Sequence, residues 1–381
     1  MPSFIINILL FLLVIGILTF VHELGHFLAA KAVGAKVFEF ALGFGPKLIS
    51  KKIGETEYSI RILPFGGYVK ILGDGDPGKE EIKKEDKGRD LSKKPKWQQI
   101  IVMLAGVTMN IILGVTIYYI VLFSNGWELI LNNEFADFKP IGASVTKVRD
   151  GDVEYSDLIE DGQAKKAGMP EKGVIKNIDG KTVEFSDDVS KMLSGKKKEE
   201  VILDVCVEDE CNKYGVITSD EGKIGIMLPP NYHVSLSYVE NKVFAGFAHI
   251  LNSFKLIFKK MGEMFSLARQ TGDYSELSNS VSGPVGIYFV IDYFKQFGVI
   301  PFLGMVADLS MSLALINILP IPALDGGRVF ILLLEWIIGK ELDEKVESRI
   351  INISFIFLII LILFIIIKDI VNIDSIRNIF G

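Results

Sequence analysis

Four long apolar runs constrain this chain more than any other feature. A helix needs about 20 predominantly apolar residues to cross the hydrocarbon core of a bilayer. Phe4 to Val21 supplies 18 residues in which only Asn7 and Thr19 are polar. Gln99 to Phe123 supplies a second run, interrupted by Thr108, Asn110, Thr116 and two glycines. Val299 to Pro320 is a third, decorated with Asp308, Ser310, Ser312 and Asn317, and Ile350 to Ile367 is almost pure Ile, Leu and Phe. The 49% hydrophobic content agrees with a membrane protein, and the net charge of −6 argues against a nucleic-acid partner, which calls for a basic surface.

The first run lacks a basic n-region and a small-residue cleavage site and continues straight into polar residues. It therefore reads as a retained span rather than a signal peptide. Residues 34–97 carry 12 Lys and 2 Arg, including Lys93, Lys94 and Lys96 at the membrane edge, which marks the cytoplasmic side. The sequence thus predicts a polytopic α-helical membrane protein with spans over 1–33, 98–124, 299–327 and 350–372. A membrane-associated β region and charged loop fill 34–97, with Gly73 to Asp90 as the most flexible stretch. A soluble extracytoplasmic domain fills 140–228, and amphipathic surface helices fill 240–298.

The sharpest chemical signal is His22-Glu23-Leu24-Gly25-His26, at the cytoplasmic end of the first span. Residues four apart share a helix face, so both imidazoles can reach one zinc ion. Glu23 stands beside them, placed to take a proton from water that the metal has acidified. Ionisable side chains at membrane depth read as functional, and two of only four His in the chain lie here.

Two imidazoles do not complete a catalytic zinc site, which takes a third protein ligand and keeps an open position. The strongest candidate is Asp325 in the run from Asn317 to Gly327, NILPIPALDGG, whose two prolines and paired glycines must break the third span. Broken backbone at membrane depth occurs where protein buries it or it lines a cavity. Asp308 competes, without such a break.

These residues together resemble the site-2 protease family of intramembrane zinc metalloproteases, and most closely its bacterial regulator-of-sigma-E branch. The resemblance implies a Zn2+ ion held by His22, His26 and Asp325, Glu23 as general base, and Asn317 as a group that positions or polarises the substrate. It implies substrates that are single-span membrane proteins, such as anti-sigma factors or signal-peptide remnants. The implied location is the bacterial inner membrane.

Further stretches extend the resemblance over most of the chain. GFGP at 43–46 and RILPFGGYVK at 61–70 look like the family's membrane-associated β-hairpin. Thr56 to Ile62 alternates as a strand, and Pro64 with Gly66-Gly67 supplies a turn. Gly66, Gly67 and Tyr68 would then bind an extended substrate through an edge strand, although an ordinary membrane-covering hairpin fits equally well. Asn110, in Met103 to Asn110, should face the bundle interior, either lining the active-site cavity or gluing helices together. Strand-like runs at 143–148, 173–178, 201–207 and 213–218, with a helix at 185–193, resemble one PDZ domain. Cys206 and Cys211 flank a hairpin tip and are either disulfide-bonded or reduced. Ser280 to Ile287 also matches the family, with no role assignable from physics.

Two other classes compete with an active protease. A catalytically silent PDZ-bearing scaffold would be expected to lack Glu23 or a ligand. A metal transporter would carry intramembrane ligands without the adjacent Glu and without a peptide-binding domain.

Overall fold

The computed structural model describes residues 2–74, 84–208 and 210–373. Two compact units emerge, one from the segments up to Ser124 and from His249 onward, the other from Asn125 to Ala248. The first unit begins with α1 (Pro2–Ala32), the strands β1 (Val37–Ile53) and β2 (Thr56–Ile71), and α2 (Lys96–Ser124). The second contains β3 (Glu128–Leu131), β4 (Ser144–Arg149), β5 (Glu154–Tyr155), β6 (Asp157–Leu158), α3 (Gln163–Lys166) and β7 (Gly173–Ile178). It continues with β8 (Lys181–Thr182), α4 (Ser186–Leu193), β9 (Glu200–Val207), β10 (Glu210–Ile217), β11 (Ile226–Met227) and β12 (Tyr232–Ser237). The chain then runs through α5 (Ala245–Thr271), α6 (Ser275–Asn279), α7 (Pro284–Phe294), α8 (Val299–Asn317), α9 (Asp325–Ile338) and α10 (Glu344–Val371).

Among the described residues, helices α1, α2, α8 and α10 are the four that are long and apolar enough to cross a membrane. Where lipid replaces water every backbone group must be satisfied internally, so apolar runs of this length become helices. Their large side chains point outward: Phe4, Leu9, Phe123 and Phe357 are all more than half exposed in the bare protein. Helix α2 is the hub, packing against α1, α8 and α9. At one end of the bundle Ala30, Val37, Ile71, Val102, Met103 and Val329 form a buried cluster that locks α1, the two strands, α2 and α9 together.

The β ribbon departs from the sequence expectation. The turn predicted at Pro64 and Gly66-Gly67 falls instead at Gly54-Glu55, where Gly54 has φ +62°, and β2 runs on to Ile71. Gly66 is a bend inside that strand (φ +91°), as Gly43 and Gly45 are in β1, conformations that a side chain resists. The folded ribbon lets Leu42 pair with both Gly67 and Ile60. At its centre the Glu39 carboxylate accepts hydrogen bonds from Ser59, Arg61 and Tyr68 at 2.6, 2.8 and 3.0 Å. Of the charged loop expected over 73–90, residues 75–83 lie outside the described residues.

The third span also differs from the single segment expected over 299–327. Helix α8 stops at Asn317, and Asp325 is the first residue of a new amphipathic helix, α9, which the sequence reading did not separate. A Cβ at Gly326 or Gly327 would strike the carbonyls of Ile318 or Ile321, so the paired glycines let α9 start hard against the loop.

In the second unit β10, β9, β7 and β5 form one sheet with β8 alongside β7, and β3, β12 and β4 form another. The predicted strands at 173–178, 201–207 and 213–218 fall on β7, β9 and β10, and the predicted helix on α4. Tyr155, Ile175, Leu203, Val205 and Val189 are buried in the core between them. Cys206 and Cys211 are opposite each other on β9 and β10 and are disulfide-bonded.

The Ser280–Ile287 stretch, opaque in sequence, has a physical role here. The fully buried Asp369 carboxylate of α10 accepts hydrogen bonds from the Gly283 and Gly286 amides, at 2.9 and 3.1 Å, and caps the start of α7. A Cβ on Gly283 would press on Asp369 and Ile365. Asp369→Ala should lower the unfolding midpoint in detergent, leaving two buried donors unpaired at about 1–3 kcal/mol. Asp369→Asn keeps an acceptor and should lose less.

At the ribbon's turn, hydrogen bonds from Arg89 and then Lys31 hold the Glu55 carboxyl down at about 2. A depressed carboxyl stabilises the fold above its ordinary value and ceases to do so as pH falls through the folded one. Stability measured by thermal unfolding should therefore drop between about pH 4.5 and pH 2. Glu55→Gln should flatten that part of the curve.

Candidate active site

The helical spacing of His22 and His26 stacks the two rings on one face of α1, with their Nε2 atoms 3.3 Å apart. From α9, Asp325 Oδ2 comes within 3.1 Å of His22 Nε2 and 3.3 Å of His26 Nε2. Both imidazoles are buried, and the Asp325 oxygen is shielded from solvent and makes no hydrogen bond of good geometry. These three make up the metal-binding cluster found among the described residues.

The donor set fits zinc. Tetrahedral coordination at about 2.0–2.1 Å puts neighbouring ligand atoms about 3.3 Å apart, and two nitrogens with one carboxylate oxygen is a common catalytic set. The observed separations of 3.1–3.3 Å match one face of such a tetrahedron, leaving the fourth corner for water or substrate. Lone-pair atoms gathered this closely in a buried place repel one another unless a proton or a metal cation sits among them.

The backbone of α2 makes this convergence possible. Gly106 lies against both rings, so that a Cβ there would stand 2.7 and 2.8 Å from His22 Cε1 and Nε2 and would also overlap His26. Gly25 meets the Ala105 carbonyl just as closely from the α1 side. The Val102 carbonyl lies 2.8 Å from His26 Nδ1, accepting its hydrogen and leaving Nε2 with its lone pair directed at the cluster.

Glu23, next along α1, is half-buried and has no hydrogen bond or ion pair among the described residues. Its neighbour across the gap is β2: a Cβ on Gly67 would come within 3.1 Å of Glu23 Cγ. Gly67 thus stands beside Glu23. Gly66 abuts the Phe44 ring, and the Tyr68 hydroxyl is engaged by Glu39. Asn110 is fully buried, 3.2 Å from His22 Nδ1. Asn317 closes α8, half-buried. Asp308 is not in the cluster but accepts a short hydrogen bond from the Tyr118 hydroxyl.

One contact was not anticipated from sequence. Arg328, one turn after Asp325 on α9, pairs with Asp74 at the end of β2 at 2.6 Å and donates to the Asp74 carbonyl at 3.0 Å. This ties the ribbon to the helix that carries Asp325. An arginine within an otherwise apolar stretch was the available signal, but its partner was not.

Comparison with known proteins places the chain in a family. The model of Peptidase family M50 matches residues 10–361. Proteins named "Putative zinc metalloprotease" from Clostridium perfringens and Clostridium acetobutylicum are 33% and 32% identical to this chain. They align over 94% and 96% of it and 97% of their own lengths. The regulator of sigma-W protease RasP of Bacillus subtilis is 28% identical over 96% of this chain and 99% of its own. The chain belongs to peptidase family M50. It is a membrane zinc metalloprotease.

Gly106→Ala should misplace both imidazoles while leaving α2 helical. Peptidase activity should fall on the order of 100-fold, as expected for a shift of about 1 Å in a reacting group. Circular dichroism should show unchanged helix content.

Proposed function

We propose that this chain is an intramembrane endopeptidase that hydrolyses peptide bonds of single-span membrane proteins within or beside the bilayer. The observation that carries this reading is the convergence of His22 Nε2, His26 Nε2 and Asp325 Oδ2 inside a bundle of membrane-spanning helices, with Glu23 and the Gly67 backbone alongside.

His22, His26 and Asp325 would hold the zinc, which when bound supplies a Lewis acid that polarises the scissile carbonyl and acidifies water. Glu23 removes the proton from the attacking water and returns it to the departing amine. The Asn317 carboxamide donates a hydrogen bond to the carbonyl oxygen as charge develops there. A peptide bond in a helix is shielded, so the substrate must be extended first. The backbone of Gly66 and Gly67 offers strand pairing for that purpose beside Glu23, with Tyr68 bracing the ribbon through Glu39.

The basic segment 34–97 faces the cytoplasm, and the 140–228 domain lies on the other side of the inner membrane. That domain is read as PDZ-like, supported by its β10-β9-β7-β5 sheet with two short helices, α3 and α4. Such domains take up extended peptide ends by strand addition. The stretch 240–298 rests on the membrane surface. One relative is named a regulator of sigma-W protease, which favours anti-sigma factors over signal-peptide remnants as substrates.

The test is cleavage of a tagged single-span substrate in liposomes, with zinc content read in parallel. Wild type should cut, 1,10-phenanthroline should stop it, and Glu23→Gln should lose about 100-fold or more of the rate while keeping its zinc. Undiminished cleavage by Glu23→Gln would remove Glu23 from the general-base role.

A further inference from the structure

The Asn110 side chain is fully buried in the bilayer-spanning part of α2, where an amide without a purpose is costly. It is the described side chain within hydrogen-bond reach of His22 Nδ1, at 3.2 Å from its Nδ2. Its backbone carbonyl is held in turn by Ser310 Oγ of α8, at 2.9 Å, with Ser310 also fully buried. The residue is therefore clamped between the helix that carries His22 and the helix that leads to Asp325.

The chemistry of His22 decides what that amide must do. A neutral imidazole carries its hydrogen on one nitrogen and a lone pair on the other. His22 Nε2 points at Asp325 Oδ2 and His26 Nε2, so it must hold the lone pair if it is to bind a metal, and Nδ1 must hold the hydrogen. A hydrogen on Nδ1 needs an acceptor, and among the described residues the oxygen of the Asn110 amide is the side-chain group placed to provide one. The two ends of an amide differ in identity but hardly in shape, and their assignment follows the hydrogen-bond network. Asn110 Oδ1 has no hydrogen-bond partner where it stands, so exchanging the two ends breaks no bond of that oxygen.

We propose that Asn110 is a positioning residue for the zinc site, its amide oxygen accepting the His22 Nδ1 hydrogen and so directing the Nε2 lone pair to the metal. The Val102 carbonyl does the same for His26, so each imidazole is fixed by a different acceptor on α2. The proposal rests on the assignment of His22, His26 and Asp325 as ligands. It assigns Asn110 to the metal rather than to the substrate.

The test measures zinc affinity of the purified full chain in detergent by competition with a chelator, independently of proteolysis. The variants are Asn110→Leu, which has the size and no acceptor, Asn110→Asp, which keeps an acceptor, and His22→Ala. Asn110→Leu should weaken zinc binding 10- to 100-fold, the usual effect of losing such a partner. Asn110→Asp should bind within about threefold of wild type, a smaller change than that partner loss produces. Thermal unfolding of the metal-stripped proteins reports whether each variant is folded. If folded Asn110→Leu binds zinc like wild type, or if Asn110→Asp loses as much affinity as Asn110→Leu, the positioning role is overturned. If Asn110→Leu does not fold, Asn110→Asp alone decides by retaining or losing affinity. Retention of zinc by His22→Ala would instead sink the ligand assignment itself.

Discussion

The close approach of α1 and α2 is the contact on which the rest of the site depends. At Gly25 and Gly106 neither helix has a side chain, and each meets the other's backbone or imidazoles directly. Lipid tails are as apolar as the helix side chains, so helices associate by packing and by interhelical hydrogen bonds rather than by burying apolar area. Small residues at the crossing bring α2 near enough for Val102 and Asn110 to reach the two histidines. The same approach leaves room for Asp325 to arrive from α9 on the opposite side.

Asp325 is brought to the two histidines by a device of a different kind. Helix α8 ends at Asn317, the backbone turns through Pro320 and Pro322, and α9 restarts at Asp325. The carboxylate is thus presented by the first turn of a helix, and Gly326 and Gly327 allow that turn to press on the preceding loop. Arg328 then fastens α9 to Asp74, coupling the end of α9 that carries Asp325 to the ribbon that runs past Glu23. Glu23, the helix that carries Asp325 and a strand of backbone donors and acceptors are in this way mechanically connected.

Much of the site was legible because its spacing is local. His22, Glu23 and His26 lie within one turn and a half of helix, so their shared face follows from 3.6 residues per turn. Asp325 was legible because prolines and glycines announce a break at membrane depth. Arg328 with Asp74, and Asn110 with His22, were not legible as pairs. They are separated by long stretches of chain, and periodicity carries no information about which helices become neighbours. The turn of the β ribbon was misplaced because Gly54 and Gly66 look alike in sequence, whereas one reverses the chain and the other only bends it.

The sequence by itself determined that four segments must be membrane helices, since apolar runs of that length leave the backbone no other way to satisfy its polar groups. It also determined that one of them carries two imidazoles on one face with a carboxylate adjacent. The tertiary structure decided where that face points, which carboxylate oxygen meets it and which nitrogen of each imidazole faces that oxygen. Those choices depend on distances of about 3 Å between atoms far apart in the chain, and only the packing of α2 against α1, α8 and α9 sets them.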